Sequence, residues 1–288
     1  MSKLHLLAPL AVAGIAGLTG LALVAPASAA APSDGTTYQA TLDPVPLNTP
    51  SGAASGTITV WIDGNQATVK MKVSGLADKL PTDKDTLAAL GIPASFAGAP
   101  FPHVQHIHIN GQDTCPTASA DANGDGVIST VEGHDAYGMI GTTFSTKGST
   151  GPEAGTDVTV APGGGSYTYQ RTFTMNADTL SAIRNDNAVV VVHGLNPATA
   201  PKASLSTPNS LDVTLPGQSK KLALIGTAPA LCGALHVSQM SAMPVGSSPT
   251  GGGSTAGLED GWLFAVGGGL IVAAGGAFFL RRRYGQQN

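Results

Sequence analysis

The segment TITVWIDGNQATVKMKV (residues 57–73) decides the fold of this chain. Apolar and polar residues alternate on both sides of the turn sequence Asp63-Gly64-Asn65, which is the pattern of two antiparallel strands joined by a tight turn. Further strands are predicted at residues 104–109, 166–175, 188–193, 222–225 and 233–237. Two short helices are predicted at residues 83–90 and 177–184. Residues 36–240 therefore predict an all-β fold, an antiparallel β-sandwich with loop insertions.

The first residues of the chain have the features of an export signal. Lys3 precedes a stretch of 21 residues, Leu4 to Val24, without Lys, Arg, Asp or Glu. Ala27-Ser28-Ala29 then has the small residues that signal peptidase recognises. We expect a signal peptide over residues 1–29, cleaved after Ala29. The length of the apolar stretch leaves an uncleaved anchor as the alternative.

The last residues predict a membrane anchor. Residues 241–261 are rich in Gly and Ser and predict a flexible linker. Residues 262–280 are 19 uncharged residues, long enough to cross the hydrocarbon core as a helix. Three arginines follow and place the tail, residues 281–288, in the cytoplasm. The predicted localisation is an exported, extracytoplasmic domain anchored in the cell membrane by a C-terminal helix.

The charge of the exported part, residues 30–261, excludes one class of partner. This part keeps 10 of the 14 basic residues and all 18 acidic residues, which gives a net charge of −8. The phosphates of nucleic acids and of anionic lipid headgroups attract Lys and Arg. We therefore predict no nucleic-acid partner.

Both cysteines of the chain, Cys115 and Cys232, lie in the exported part. Disulfides form and persist in oxidising compartments outside the cytosol. The two cysteines are therefore predicted to form one disulfide, which closes a loop of more than a hundred residues.

Residues 121–132 (DANGDGVISTVE) match the calcium-binding loop of EF-hand proteins at every diagnostic position. Gly126 occupies the position of the sharp turn, and no pair of helices is predicted around the loop. We expect a structural Ca²⁺ site here rather than a sensor. The alternative is an ordinary turn rich in Asp and Asn. The predicted ligands are Asp121, Asn123, Asp125, the carbonyl of Val127, Ser129 and Glu132.

Histidines supply a second set of candidate metal ligands. His106 and His108 are two residues apart on a predicted strand and share a face, whereas His103 points the opposite way. His193 ends the apolar run Val189 to Val192, where a central strand presents a polar residue at its tip. Imidazole nitrogens suit Cu²⁺ and Zn²⁺. We predict that His106, His108 and His193 converge on one such ion, with ordinary core or surface histidines as the alternative.

The order of these residues resembles copper/zinc superoxide dismutases, and residues 36–240 are similar also to bacterial CHRD domains. The CHRD-like features are the hairpin sequence Gly56-Thr-Ile-Thr-Val60 and the strand sequence His103-Val-Gln-His106-Ile-His108. The dismutase-like features, in chain order, are His106-Ile-His108, Cys115, Val-Val-His193 and Leu231-Cys232-Gly233-Ala234-Leu235.

This resemblance implies a Greek-key sandwich, a Cys115–Cys232 disulfide, and copper ligation by His106, His108 and His193. His134 is the one residue available for a bridging metal ligand. The calcium loop stands where the remaining zinc ligands of a dismutase are expected. Pro229 stands where the resemblance expects an arginine that steers superoxide.

Two functions therefore stay open. The first is a CHRD-type metal-binding module that is displayed outside the membrane. The second is a copper-only enzyme similar to superoxide dismutase. The Pro229 position and the net negative charge favour the first, because superoxide is an anion. The His-x-His pair followed by Val-Val-His193 favours the second.

Overall fold

The computed structural model describes residues 35–49, 53–215 and 217–238. Within this part of the chain there are nine strands and four α-helices. The strands are β1 (Thr36–Pro44), β2 (Ser55–Asp63), β3 (Gln66–Ser74), β4 (Gln105–Ile109), β5 (Met139–Thr143), β6 (Tyr167–Thr174), β7 (Ala188–His193), β8 (Pro229–Ala234) and β9 (His236–Val237). The helices are α1 (Lys84–Leu90), α2 (Thr130–Tyr137), α3 (Ala177–Arg184) and α4 (Lys202–Ser206).

The strands form one antiparallel sheet rather than the two sheets of a sandwich. Their order is β5-β4-β7-β8-β1-β2-β3-β6, and β9 pairs with β1. Residues Thr36 to Leu42 of β1 pair with β2, whereas Asp43 and Pro44 pair with β8. Because β1 hydrogen-bonds to β2 along most of its length and to β8 at its end, all the strands belong to one continuous, curled sheet. The antiparallel β character is as predicted, but the predicted Greek-key β-sandwich is wrong.

One part of the sheet, which we call the open half, consists of β1, β2, β3, β6 and β9. In β2 the side chains of Ile58, Val60 and Ile62 are buried, while Thr57 and Thr59 between them are exposed. The predicted hairpin is confirmed, since Asp63 pairs with Gln66 across a turn in which Gly64 has a φ of 59°. This half thus packs one face on the larger of two clusters of buried apolar side chains, which we call the main core. Its other face is left in water.

The other part, which we call the covered half, consists of β4, β5, β7 and β8. Every residue of β4 and β7 is buried. Val190 and Val192 face the main core, which also contains Ile107. Val189 and Val191 point to the opposite face and belong to a second apolar cluster. Both faces of this half are therefore buried. This explains why β7 contains consecutive valines instead of alternating apolar and polar residues.

The second face is covered by residues 110–138, which we call the cover. A disulfide joins Cys115 to Cys232 on β8, as predicted. The buried Asn48 side chain makes two hydrogen bonds of 2.8 Å with the backbone N–H and carbonyl of Ile128. Ile128 packs with Tyr137, Val189 and other residues of the second cluster. These contacts hold the cover against the sheet.

The helices agree with the sequence only in part. The helices predicted at residues 83–90 and 177–184 are present as α1 and α3, capped by Asp83 and Asn176. Helix α2 was not predicted, and it begins with a capping box between Ser129 and Glu132. The strand predicted at residues 222–225 is wrong, because Leu224–Gly226 form a 3₁₀ turn.

Among the described residues, no helix combines the length and the apolar character needed to cross a membrane. The predicted fold class is corrected to one curled antiparallel sheet with short helices. The predictions for residues 1–29, 241–261, 262–280 and 281–288 all concern residues outside the described ranges.

Candidate metal site

Strands β4 and β7 bring three of the predicted histidines together. The two strands are antiparallel neighbours, with His106 opposite Val191 and His108 opposite Val189. The backbone N–H of His193 donates to the carbonyl of Val104, which continues the same register by one pair. Residues that are opposite each other share a face of the sheet. His106, His108 and His193, which we call the histidine triad, therefore lie side by side under the cover.

The triad has the spacing of a metal site. One nitrogen of each ring lies within 4.8 Å of a nitrogen of each other ring. The ring centroids are 5.1 to 5.9 Å apart. Since a metal–imidazole bond is about 2.0–2.1 Å long, two ligand nitrogens of one ion are at most about 4 Å apart. A small inward movement of the rings would therefore let all three nitrogens contact one ion.

Hydrogen bonds to backbone carbonyls fix which nitrogen of each ring carries the proton. A carbonyl oxygen only accepts, so the ring nitrogen that faces it donates. The other nitrogen of each ring is buried and has no hydrogen-bond partner. Buried polar atoms without a partner are uncommon and call for an explanation. The three bonds to backbone carbonyls are donated by His106 Nε2 to Gly155 at 3.0 Å, by His108 Nδ1 to Gly138 at 2.9 Å, and by His193 Nδ1 to Thr227 at 2.6 Å.

Burial keeps the triad neutral. It lowers the pKa of His108 to about 3 and that of His193 to about 4. Burial, together with the neighbouring histidines, holds the pKa of His106 well below its usual range. A metal ion binds the neutral imidazole, because the ligand nitrogen must be free of its proton. At neutral pH the unpartnered nitrogens therefore each present a lone pair.

The other candidate histidines are not part of this group. His103 is also buried, but its Nδ1 contacts the carbonyl of His193 and its Nε2 the carbonyl of Ala77, both at 2.9 Å. His134 is exposed on α2 and lines the cavity described below, outside the set of three converging nitrogens. His236 is exposed on β9. The structure thus separates the triad, which has free nitrogens, from His103, which has none.

A cavity of about 210 Å³ opens onto the triad. Its wall is largely aliphatic and includes Val104, Ile140, Val158, Val213 and Leu222. Among the described residues, no Lys, Arg, Asp or Glu lines it. A ligand in this cavity would therefore contact hydrocarbon on most sides and the triad on one.

The predicted calcium loop lies in the cover. The side chains of its first three predicted ligands, Asp121, Asn123 and Asp125, accept hydrogen bonds from backbone N–H groups of the same loop. The Glu132 carboxylate accepts hydrogen bonds from the N–H groups of Ser129 and Ala122. These bonds occur in a turn rich in Asp and Asn whether or not a cation is bound. The calcium site stays a prediction.

Helix α2 connects this loop to the triad. Gly138, which ends α2, supplies the carbonyl that accepts from His108, and the Tyr137 ring lies 4.6 Å from the His108 ring. At the other end of α2, the Thr130 hydroxyl donates to the carbonyl of Thr227, at 2.6 Å. That carbonyl also accepts from His193. Groups that orient metal ligands in this way influence metal affinity.

Sequence reasoning missed the three residues that orient the triad. Gly138, Gly155 and Thr227 act through backbone carbonyls, which every residue possesses, so their side chains carry no signal of this role. Only Gly138 has a distinctive backbone, with a φ of 86°. A Cβ at this position would lie 2.0 Å from the carbonyl oxygen of Ile109. The glycine is therefore needed for the close approach of α2 to β4.

Comparisons with known proteins do not assign the chain to a family. No protein-family model matches the sequence, and no curated protein matches it. The candidate site is therefore defined by its own geometry: three buried imidazoles on one sheet face, each with a nitrogen within 4.8 Å of the others and each with one buried nitrogen that has no hydrogen-bond partner.

Proposed function

We propose that this chain is a metal-binding module in which the histidine triad holds one Cu²⁺ or Zn²⁺. The ligand atoms are Nδ1 of His106, Nε2 of His108 and Nε2 of His193. The three buried nitrogens without hydrogen-bond partners carry this proposal. Leaving such atoms unpaired costs free energy, and coordination to a metal would remove that cost. Imidazole ligands suit both metals.

The proposed module is of the CHRD type and acts outside the cytoplasm. The order of its motifs supports the CHRD resemblance, and the Cys115–Cys232 disulfide supports an oxidising compartment. A copper-only enzyme similar to superoxide dismutase is the second candidate. It has the same three ligands, but Pro229 and the aliphatic cavity wall offer an anion no cationic side chain. We therefore favour a metal-binding module over a dismutase.

We also propose that residues 121–132 bind a structural Ca²⁺. The complete ligand spacing supports this assignment. The position of the loop explains what the ion would do, since Val127 and Ile128 are buried and the loop continues into α2. A bound Ca²⁺ would offset two of the three negative charges of the loop carboxylates and stabilise the cover.

The metal proposal is tested by titrating the metal-free full chain with Cu²⁺ and following binding by calorimetry and electron paramagnetic resonance. We expect one high-affinity copper per chain, with hyperfine coupling to imidazole nitrogens. The combined variant His106→Ala, His108→Ala and His193→Ala should weaken binding by more than about a hundredfold, since each lost ligand removes a metal bond.

Two control variants separate ligation from other effects of histidine. His236→Ala removes an exposed histidine, and His134→Ala removes the one at the cavity wall. Both should retain copper affinity within about threefold of the wild type, because neither nitrogen lies in the converging set. Unchanged copper affinity in the triple variant would contradict the proposal. A large loss of copper affinity in His134→Ala would show that His134 is also a ligand.

A further inference from the structure

We propose that the cavity over the histidine triad binds a neutral, largely apolar small molecule that reaches the open coordination position of the metal. The inference deepens the proposed function, and the part that concerns the metal rests on it. It states which class of small molecule the site binds. The arrangement of the three histidines alone does not indicate this.

The residues of the cavity wall are mostly apolar. Beyond the triad, the cavity is lined mainly by valine, leucine and isoleucine side chains, such as Val104, Val158 and Leu222. Its few polar side chains include Thr130 and Thr156. The Thr130 hydroxyl already donates to Thr227. Small-molecule sites are mostly apolar, with a few polar groups that set the orientation of the ligand. Here the metal held by the triad would be the main orienting group.

The charge of the site also limits which ligands can bind. An anion that enters the cavity leaves its hydration shell, and no Lys or Arg lines the described wall to compensate. A neutral molecule pays little for the same transfer and gains from contact with hydrocarbon. The metal-free cavity therefore discriminates against charged ligands.

Two of the residues that line the cavity are large apolar side chains exposed to water. Met139 and Leu211 line the cavity, yet 54% and 44% of their respective surfaces are exposed. They are two of the five large apolar side chains that are exposed among the described residues. Exposed apolar surface thus borders the cavity, which suits the capture of an apolar ligand.

The volume limits the size of the ligand. An apolar cavity of about 150 Å³ accommodates benzene, whereas sites for drug-sized ligands measure about 300–1,000 Å³. At about 210 Å³ this cavity matches a single substituted ring or an aliphatic molecule of similar size. Such a molecule with one oxygen or nitrogen atom would place that atom on the metal and its hydrocarbon against the wall.

The test uses the full chain, first without metal and then loaded with Cu²⁺. Toluene binding to the metal-free chain is measured by ligand-observed NMR, with benzoate as the charged analogue. Phenol is then added to the copper form while its electron paramagnetic resonance spectrum is recorded. Two variants fill the cavity, Val158→Phe and Val213→Phe. Val160→Phe is the matched control, because Val160 belongs to the same 3₁₀ turn as Val158 but does not line the cavity.

We expect toluene to bind at least about tenfold more tightly than benzoate, because the carboxylate loses its hydration. Val158→Phe and Val213→Phe should each weaken toluene binding by about tenfold or more, and Val160→Phe by less than about twofold. Phenol should change the copper spectrum of the wild type and of Val160→Phe, but not that of the cavity-filling variants.

Three results would overturn the inference: equal affinity for toluene and benzoate, toluene binding that both filling variants retain, or a copper spectrum that phenol leaves unchanged. Copper content is measured in the same samples. Full copper loading without toluene binding would refute this inference and leave the metal-binding proposal intact. Toluene binding without copper uptake would refute the metal-binding proposal and, with it, the approach of the ligand to a metal.

Discussion

The open and covered halves of the sheet show what a strand needs in order to build a buried polar site. In β2 alternate residues such as Thr57 and Thr59 are exposed to water, and the buried residues face the main core. In β7 neighbouring residues Val190 and Val191 are both completely buried, on opposite faces. The triad lies on the face that the main core does not use. A second layer, the cover, turns that face into a buried site.

The largest expected difference between the halves is the response of the covered half to acid. The unfolded chain takes up protons at these histidines below about pH 6.5, whereas the folded triad stays neutral down to about pH 4. The unfolded state binds more protons in that window, so stability falls as the pH falls. Each histidine adds about 1.4 kcal/mol per pH unit, and the three together approach about 4 kcal/mol per unit.

Urea unfolding of the metal-free chain at several pH values measures this slope. The variant His106→Gln, His108→Gln and His193→Gln removes the three titrating groups and should flatten the slope between about pH 6 and pH 4.5. A wild type and a variant with the same pH dependence would show that the triad is not the source of acid sensitivity.

The second difference is the dependence of the covered half on its disulfide. Cys115 and Cys232 are separated by 117 residues, and a cross-link over a loop of that length stabilises by about 4–5 kcal/mol in the chain-entropy model. The variant Cys115→Ala with Cys232→Ala should lose about that much, as measured by denaturant unfolding. Hydrogen exchange should speed up most in residues 110–138, while β2 and β3 keep more of their protection. Uniform loss of protection in both halves would remove the distinction between them.

Alanine substitutions compare the two faces of each half directly. Val190→Ala and Val191→Ala should each cost about 2 kcal/mol, because both side chains are completely buried. In the open half Val60→Ala should cost a similar amount, but Thr59→Ala should stay within about 0.5 kcal/mol. Thermal or urea unfolding of the four variants gives the result. A negligible cost for Val191→Ala would mean that the cover does not pack on β7 in solution.

The smallest expected effect comes from calcium, which would stabilise the cover alone. With a dissociation constant of about 10⁻³ M, typical of extracellular modules, a tenfold excess of Ca²⁺ over that value adds about 1.4 kcal/mol. The melting temperature of the wild type should rise, whereas Asp121→Asn with Glu132→Gln should not respond. Gln at position 132 preserves the capping box of α2, so the control isolates the charge. Equal melting with and without calcium in the wild type contradicts the site.

The sequence predicts the parts of the fold that depend on local pattern. The hairpin of β2 and β3, the strand β7 and the convergence of the triad follow from alternation and from an apolar run with a polar tip. The disulfide follows from two cysteines in a segment that is predicted to be exported. The hairpin and β7 are encoded in neighbouring residues, whereas the triad and the disulfide are predicted from residue types that act together although they are far apart in the chain.

The remaining parts depend on contacts between distant residues. The sequence of β1, TTYQATLDP, does not reveal that one strand pairs with both halves, and this is why the sandwich prediction fails. Helix α2 contains Gly133, which has low helix propensity, and it is held by its capping box and by the burial of Tyr137. The carbonyls that orient the triad have no side-chain signature.

The double pairing of β1 also has a consequence for the rate and order of folding. Its partner β2 follows it closely, whereas Asp43 pairs with Cys232 near the other end of the described chain. Pairings between such distant residues give a high contact order and slow folding. The β2–β3 hairpin can form early, but the junction between the halves cannot close until β8 is present. A nascent chain in which β8 has not yet been synthesised therefore keeps one edge of β1 unpaired, and that edge can pair with another chain and start aggregation.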